Sequence, residues 1–205
     1  MPARRVATIF TIATVLLAAS PGALRQAWAQ SHEQAVGFVR DSAGALVAIA
    51  NGGGSAQEKH QRIREVLDRS VDLQGIARDC LGRFWHTASQ QQQLQYTTLS
   101  RDLIVTKIAD HLGEYQGVRV TMGTARTHDG TEIVATTVER PGDEADEVDW
   151  VVSNSTGGPK IVDLLAEGTS MREAQSSDFA AYLARHQNDV HQLIDGLQQM
   201  VAANK

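Results

Sequence analysis

The sequence predicts an α+β fold in which a twisted antiparallel sheet of about four strands packs against about six helices. Three observations support it. Apolar residues recur at helical spacing from residue 31 to about residue 115, they alternate with polar residues from 118 to 165, and helical spacing returns from residue 170. The strands are joined by short turns, so we expect a meander of antiparallel hairpins covered by helices.

Four helices are predicted before the sheet, and each begins at a side chain suited to capping. The predicted starts are Ser31, Ser55, Asp72 and Ser89. The first, second and fourth have Gln or Glu three residues later, which is the pattern of a capping box. We expect the first helix to span Ser31–Ile49. The fourth runs to about Tyr115 and has the widest apolar stripe, which predicts the most enclosed position.

The strands and the closing helices follow in order. The first strand contains Val118, Val120 and Met122, and the others are predicted at Thr131–Glu139, Val148–Ser153 and Ile161–Leu165. In the third strand, Val148, Trp150 and Val152 share one face. An acidic loop, Pro141–Glu147, precedes that strand. Two helices, Ser170–His186 and about Asn188–Ala203, close the chain, and Ser170 with Glu173 forms a fourth capping box.

The first 29 residues are expected to be a signal peptide that is cleaved after export. Arg4 and Arg5 precede the apolar run Val6–Ala19, which is too short to span a bilayer, and Ala27-Trp28-Ala29 matches an A-x-A cleavage site. A Sec-type signal followed by a mature domain of residues 30–205 is predicted. The alternative is an uncleaved anchor, which the cleavage site disfavours.

Charge and cysteine content exclude several classes of protein. The formal net charge of the whole chain is −5. Without the signal peptide, 16 of the 19 basic residues and all 24 acidic residues remain, which gives a net charge near −8. This balance argues against a nucleic-acid partner and against permanent adhesion to anionic lipid surfaces. The single cysteine, Cys80, excludes an internal disulfide and is expected to be a buried thiol.

No catalytic, metal or cofactor site is predicted. The seven histidines lack metal-binding spacing, and the segment around Ser170 lacks the glycine that would complete a G-x-S-x-G elbow. Gly52–Gly54 follows a helix rather than a strand, so it is not a phosphate-binding loop. The acids between Asp143 and Glu147 are interpreted as a solvated loop.

Three segments together resemble the MlaC family, also called toluene-tolerance proteins. They are Leu81–Ala88 (LGRFWHTA), Val148–Trp150 (VDW) and Ile161–Met171 (IVDLLAEGTSM). The resemblance extends from about Glu33 to the C-terminus. The chain departs from the family pattern at Gly158-Pro159-Lys160, where an aromatic residue is usual, and at Gln90, where proline is usual.

The resemblance implies a function and a set of partners. MlaC-like proteins are periplasmic carriers that move phospholipids between the two membranes of Gram-negative bacteria and hold the acyl chains in a deep apolar pocket between sheet and helices. The expected partners are a phospholipid ligand, an inner-membrane ABC transporter complex with an MCE-type subunit, and an outer-membrane lipoprotein complex. The carrier is expected to act as a monomer, without a cofactor, and to maintain outer-membrane lipid asymmetry.

The pocket implied by the resemblance would be lined by apolar residues of both layers. From the sheet we expect Val118, Val120, Met122, Ile133, Ala135, Trp150, Val152, Val162 and Leu164; from the helices we expect Phe84, Leu99, Leu103, Ile104 and Ile108. For each of them, ordinary core packing is an equally open interpretation.

Three other functions remain open from the sequence. The same fold would carry a hopanoid or another non-phospholipid cargo. A non-catalytic periplasmic interaction module would have a filled core and no lipid. An exported enzyme would need convergent acid and base residues in its cavity, and the sequence shows no such cluster.

Overall fold

The computed structural model describes residues 21–113, 117–154 and 157–203, with side chains described from Gln30 onward except at 111–113. Residues 1–20 of the expected signal peptide and Tyr115 therefore lie outside the described residues. Along the described chain, no helix combines the length and the hydropathy needed to cross a bilayer.

The described residues form six α-helices and five strands, and the predicted α+β class is confirmed. The helices are α1 Pro21–Asn51, α2 Ala56–Ser70, α3 Leu73–Leu81, α4 Gln90–Gly113, α5 Met171–Arg185 and α6 Val190–Ala203, with a 3₁₀ turn at Gly82–His86. The strands are β1 Arg119–His128, β2 Thr131–Glu139, β3 Asp146–Ser153, β4 Lys160–Ala166 and β5 Thr169–Ser170. They lie in the order β1-β2-β3-β4-β5, and every neighbouring pair is antiparallel. The sheet is thus the expected meander with one extra two-residue strand.

The predicted helix starts are confirmed with one exception. The side chains of Ser55 and Asp72 cap α2 and α3, and Ser55 forms the full capping box with Glu58. Ser89 and Gln92 exchange the two hydrogen bonds of a capping box at the start of α4. In α5, the hydroxyl of Ser170 accepts from the backbone N–H of Glu173.

The prediction that the first helix begins at Ser31 is wrong. Helix α1 spans Pro21–Asn51 without a break and therefore includes the ten residues before Ser31. Ser31 lies inside this helix, and its hydroxyl donates to the carboxylate of Glu132 on the sheet at 2.8 Å. The apparent capping residue is therefore a tertiary contact.

Three apolar clusters hold these elements together. One lies between α1 and one face of the sheet, a second among α1, α2 and α4, and a third among α3, α4, α5 and α6. Leu46 and Val71 pack against both the first and the second cluster, so those two are continuous. The sheet is consequently covered on one face by α1, with the remaining helices stacked beyond it and at the β4 edge.

Candidate functional site

The contact between α1 and the sheet forms an apolar layer, which we define by its buried residues. They are Ala35, Val39 and Ala43 of α1 and Val134, Trp150, Val152 and Ile161 of the sheet, all 7% exposed or less. Around it pack partly buried side chains, among them Phe38, Val120, Met122, Val148 and Leu164. The helix contributes mostly small side chains, which lets its backbone lie close to the sheet.

Strand register explains why these residues share one face. Val134 pairs with Trp150, and Trp150 pairs with Leu164, so the three side chains line up across β2, β3 and β4. The indole N–H of Trp150 donates to the hydroxyl of Thr136 at 3.0 Å, and that hydroxyl donates to the carbonyl of Val148 at 2.7 Å. The indole N–H of Trp150 and the hydroxyl of Thr136 are thereby satisfied within the sheet.

A β-bulge preserves the face along β1. Between Met122 and Ala125 the register shifts by one residue, so that Gly123 and Thr124 lie opposite Ala135. A Cβ on Gly123 would stand 3.0 Å from the carbonyl oxygen of Ala135, which is closer than side chains normally approach. The extra residue keeps both Met122 and Ala125 on the face turned to α1.

A pocket of about 440 Å³ opens onto this layer between α1 and the β3–β4 hairpin. Such a volume lies within the usual range of small-molecule sites. Its apolar lining comes from Ala35, Phe38, Val152 and Pro159, its polar lining from Gln34, Asp41 and Asn154, and Gly37 leaves the helix surface bare. Because Ala35 and Val152 belong to the apolar layer and Phe38 packs against it, the floor of the pocket is continuous with the layer.

Another pocket, of about 400 Å³, lies at the start of α2 and differs in character. It is lined by Gly53, Gly54, Glu58, Gln61, Arg62 and Glu65, without any apolar side chain. No group of three metal-binding side chains occurs in the part of the chain that the structure describes. The pocket beside α1 is therefore the better candidate for an apolar ligand.

Five of the residues predicted to line a pocket lie in or against the apolar layer. They are Val120, Met122, Trp150, Val152 and Leu164. Two others, Ile133 and Ala135, neighbour Val134 in β2, and successive side chains of a strand point to opposite faces. They therefore lie on the sheet face away from α1, and the structure does not bring them together with Trp150.

The remaining predicted residues lie elsewhere in the molecule. Ile104 and Ile108 pack against the cluster of α1, α2 and α4, whereas Phe84, Leu99 and Leu103 belong to or pack against the cluster of α3 to α6. Val118 is buried just before β1, and Val162 is the extra residue of a bulge in β4. The structure does not bring these residues together with the sheet residues of the layer.

Sequence reasoning missed the contribution of α1. Ala35, Val39 and Ala43 are spaced by four residues along one helical stripe, a signal that marks a buried face without saying what covers it. Val134 was missed because β2 has three consecutive buried residues, Glu132 to Val134, so burial does not alternate there.

Polar contacts fix α1 on both sides of the apolar layer, at Ser31 and His32 within the helix and at its last residue, Asn51. The carboxylate of Glu132, only 7% exposed, accepts from the hydroxyls of Ser31 at 2.8 Å and Thr127 at 3.1 Å, and the Nε2 atom of His32 lies 3.2 Å from it. At the other end, the side chain of Asn51 accepts from the N–H of Gly117 and donates to the carbonyl of residue 118. Between these two sets of polar contacts, the described residues of α1 pack on the sheet through apolar side chains.

The segment Ile161–Met171 is organised around Asp163. Its buried carboxylate accepts from the hydroxyl of Ser170 at 2.5 Å, from the N–H of Arg172 at 3.0 Å and from its own neighbour, the N–H of Leu164. A carboxylate at the start of α5 is also favoured by the helix dipole. The guanidinium of Arg172 continues to Asp79 of α3 at 2.8 Å. The aspartate and serine of this motif therefore join β4 to α5.

Cys80 is buried beside this junction. Its thiol lies 3.6 Å from the carbonyl oxygen of Arg172, and burial raises its pKa to about 11 from an ordinary value of 9.0. The thiol is 5% exposed and neutral at physiological pH, which identifies it as part of the helical core, as expected from the sequence.

Comparison with known proteins agrees with this architecture. The family model described as MlaC protein matches residues 42–199. A phospholipid-binding protein from Ralstonia solanacearum, solved in complex with a phospholipid, superposes with a TM-score of 0.73 at 22% identity; the alignment covers 83% of this chain and 98% of that one. No curated protein matches the chain.

The extent of the family match is consistent with the resemblance that the motifs carry. It includes Leu81–Ala88, Val148–Trp150 and Ile161–Met171, and it spans more than three quarters of the sequence. It starts at residue 42, within α1, whereas the motifs suggested a start near Glu33. The chain belongs to the MlaC family.

Proposed function

We propose that this protein is a phospholipid-binding carrier that takes the acyl chains of its ligand between α1 and the sheet. The observation that carries the proposal is the pocket whose floor runs without interruption into the apolar layer. Membership of the MlaC family supports it, as does the phospholipid found with the Ralstonia solanacearum protein of the same fold.

The physical task explains why binding alone is enough. Each methylene kept from water is worth about 0.8 kcal/mol, so a diacyl lipid with roughly thirty methylenes would pay on the order of 20 kcal/mol to cross water unprotected. A protein that covers the tails removes this cost without catalysing a reaction. We therefore propose a binding protein and not an enzyme.

Entry of the tails requires α1 and the sheet to separate. Across the layer, the helix offers Ala35 and Ala43, whose small side chains bury little apolar area and are inexpensive to displace. The polar contacts at Ser31 and Asn51 lie on either side of the apolar layer and need not break for the middle of the layer to open. In this proposal the pocket is the mouth and Phe38 lies at the start of the path.

The cellular setting is part of the same proposal. Residues 1–29 are a signal peptide, and residues 30–205 act in the periplasm as the component that shuttles lipids between the outer and inner membranes. An ABC transporter complex with an MCE-type subunit and an outer-membrane lipoprotein complex are the exchange partners, and the transport maintains outer-membrane lipid asymmetry. The signal-like sequence and the family membership support this assignment.

Native mass spectrometry of the protein purified from periplasm, followed by organic extraction, tests the proposal. We expect a polypeptide that begins at Gln30 and carries a stoichiometric diacyl phospholipid. A hopanoid in the extract would move the function to the alternative cargo. A protein that is empty and takes up no lipid from vesicles would be an interaction module with a filled core, and the carrier function would be rejected.

A further inference from the structure

The mouth of the pocket carries three polar side chains from two separate elements. Gln34 and Asp41 lie two helical turns apart on α1, and Asn154 follows β3. Within the described chain, none of these three side chains makes a hydrogen bond or an ion pair to another residue. Polar side chains that line an apolar pocket and are not bonded to one another are available to bind the polar part of a ligand.

The charge of this mouth is negative. Asp41 is the one charged residue among those that line the pocket. Two basic residues are adjacent in sequence to residues that line the pocket. The ammonium of Lys160 donates to the carbonyls of Asp68 and Arg69 at the end of α2. Arg40 is exposed but does not line the pocket. A headgroup at the mouth therefore meets one carboxylate and two side-chain amides.

We propose that this mouth selects phospholipids whose headgroup ends in a primary ammonium over those with an anionic headgroup. The inference rests on the proposed function and adds the class of lipid. A primary ammonium combines a positive charge with N–H donors, which suit the carboxylate of Asp41 and an amide oxygen of Gln34 or Asn154. A quaternary ammonium offers charge without donors, and a headgroup with a net negative charge is repelled by Asp41. The expected order is ethanolamine, then choline, then glycerol headgroups.

The selectivity belongs to this chain and does not follow from its family membership. Gln34 and Asp41 both precede residue 42, where the match to the family model starts. Because all three side chains are exposed at the mouth, their interaction with a charge is screened by water. We therefore expect preferences of roughly two- to five-fold, the range typical of exposed ion pairs.

A competition experiment measures this directly. The delipidated protein is incubated with vesicles that contain equal amounts of phosphatidylethanolamine, phosphatidylcholine and phosphatidylglycerol with identical acyl chains, and the bound lipids are quantified by mass spectrometry. The wild type should take up the ethanolamine lipid in roughly two- to five-fold excess over the glycerol lipid, and the excess should shrink at high salt.

Three variants test whether the headgroup preference comes from the residues at the mouth or from the net charge of the protein. Asp41→Asn should bring the ratio of the ethanolamine to the glycerol lipid close to one. Asp129→Asn removes the same charge from the exposed β1–β2 turn, at a position with φ of 46° that asparagine tolerates, and should keep the wild-type ratio. Gln34→Ala serves as a second mouth variant and should lower the ratio partially.

The outcomes distinguish the two proposals. Equal uptake of the three lipids, an excess of the anionic lipid, or an unchanged ratio in Asp41→Asn would overturn the headgroup selectivity and leave the carrier function intact. Absence of uptake of every lipid by folded wild-type protein would reject the carrier function itself, and the selectivity with it.

Discussion

Asp163 concentrates three hydrogen bonds on a carboxylate that is 7% exposed. Replacing it with alanine leaves the N–H of Arg172 without its acceptor and the hydroxyl of Ser170 without its carboxylate. We expect Asp163→Ala to lower the free energy of unfolding by about 2–4 kcal/mol, measured by urea denaturation, because buried groups lose their partners.

The matched control is Asp178→Ala, which removes an exposed carboxylate from the middle of α5. It should change the free energy of unfolding by less than about 0.5 kcal/mol. If the two variants were equally stable, the role of Asp163 as the junction of β4 and α5 would be wrong.

The buried thiol of Cys80 should make the stability of the protein depend on pH. Its pKa in the folded protein, about 11, lies above the ordinary value of 9.0, so the folded state retains the proton over a range in which the unfolded chain loses it. This favours folding below pH 9, and the advantage disappears as the pH rises from 9 to 11. Wild-type stability should therefore fall more steeply than that of Cys80→Ala across this range, in parallel urea titrations.

Labelling provides an independent measurement on the same thiol. At pH 7.5, a thiol-specific reagent should modify the folded protein far more slowly than the urea-unfolded protein, since the thiol is both protonated and enclosed. Rapid labelling of the folded protein would show that α3 and α5 do not seal Cys80.

At the scale of elements, α1 offers a way to block the pocket without disturbing the core. Gly37 lines the pocket, and a Cβ at this position would meet no atom within 4 Å. Gly37→Trp should fill the mouth and reduce lipid uptake from vesicles at least several-fold. The substitution should not destabilise α1, because glycine has a lower helix propensity than tryptophan.

Two other glycine variants control this experiment. Gly44 lies seven residues further along α1, outside the pocket lining, and also has open space around it, so Gly44→Trp should preserve uptake. Gly37→Ala supplies the same helical benefit with little volume and should also preserve uptake. Loss of uptake in all three variants would mean that α1 acts through its stability and not through the pocket.

The elements also differ in how well the sequence predicts their faces. For β3, strict alternation placed Val148, Trp150 and Val152 on one side, and the structure confirms it. For β2, the apolar pair Ile133 and Val134 leaves the choice of face open, and the register with Trp150 decides for Val134. Local pattern defines a face only where the other face is polar.

At the scale of the molecule, the element types and the sheet order were accessible from the sequence because they depend on short-range signals. Caps, periodicity and turn residues predicted the helices and the meander. The partner of each apolar face was not accessible, since packing joins residues far apart in sequence. Thus Phe84 and Leu103 were predicted as helical residues of the pocket wall, and in the structure they lie in the cluster of α3 to α6, apart from the layer between α1 and the sheet. The start of α1 was misjudged because Ser31 satisfies a capping pattern while it bonds to Glu132.

Consecutive strand order also bears on how the chain folds. Each strand pairs with its immediate successor, so the sheet closes small loops, whereas the contact between Ser31 and Glu132 closes a separation of 101 residues. Contacts between distant residues form more slowly because ordering a longer loop costs more entropy. We therefore expect the hairpins to assemble first and α1 to dock late. A newly made chain then presents the apolar face of Trp150 until its own first helix arrives, and a chaperone or a lipid tail at hand would compete with that helix for the same surface.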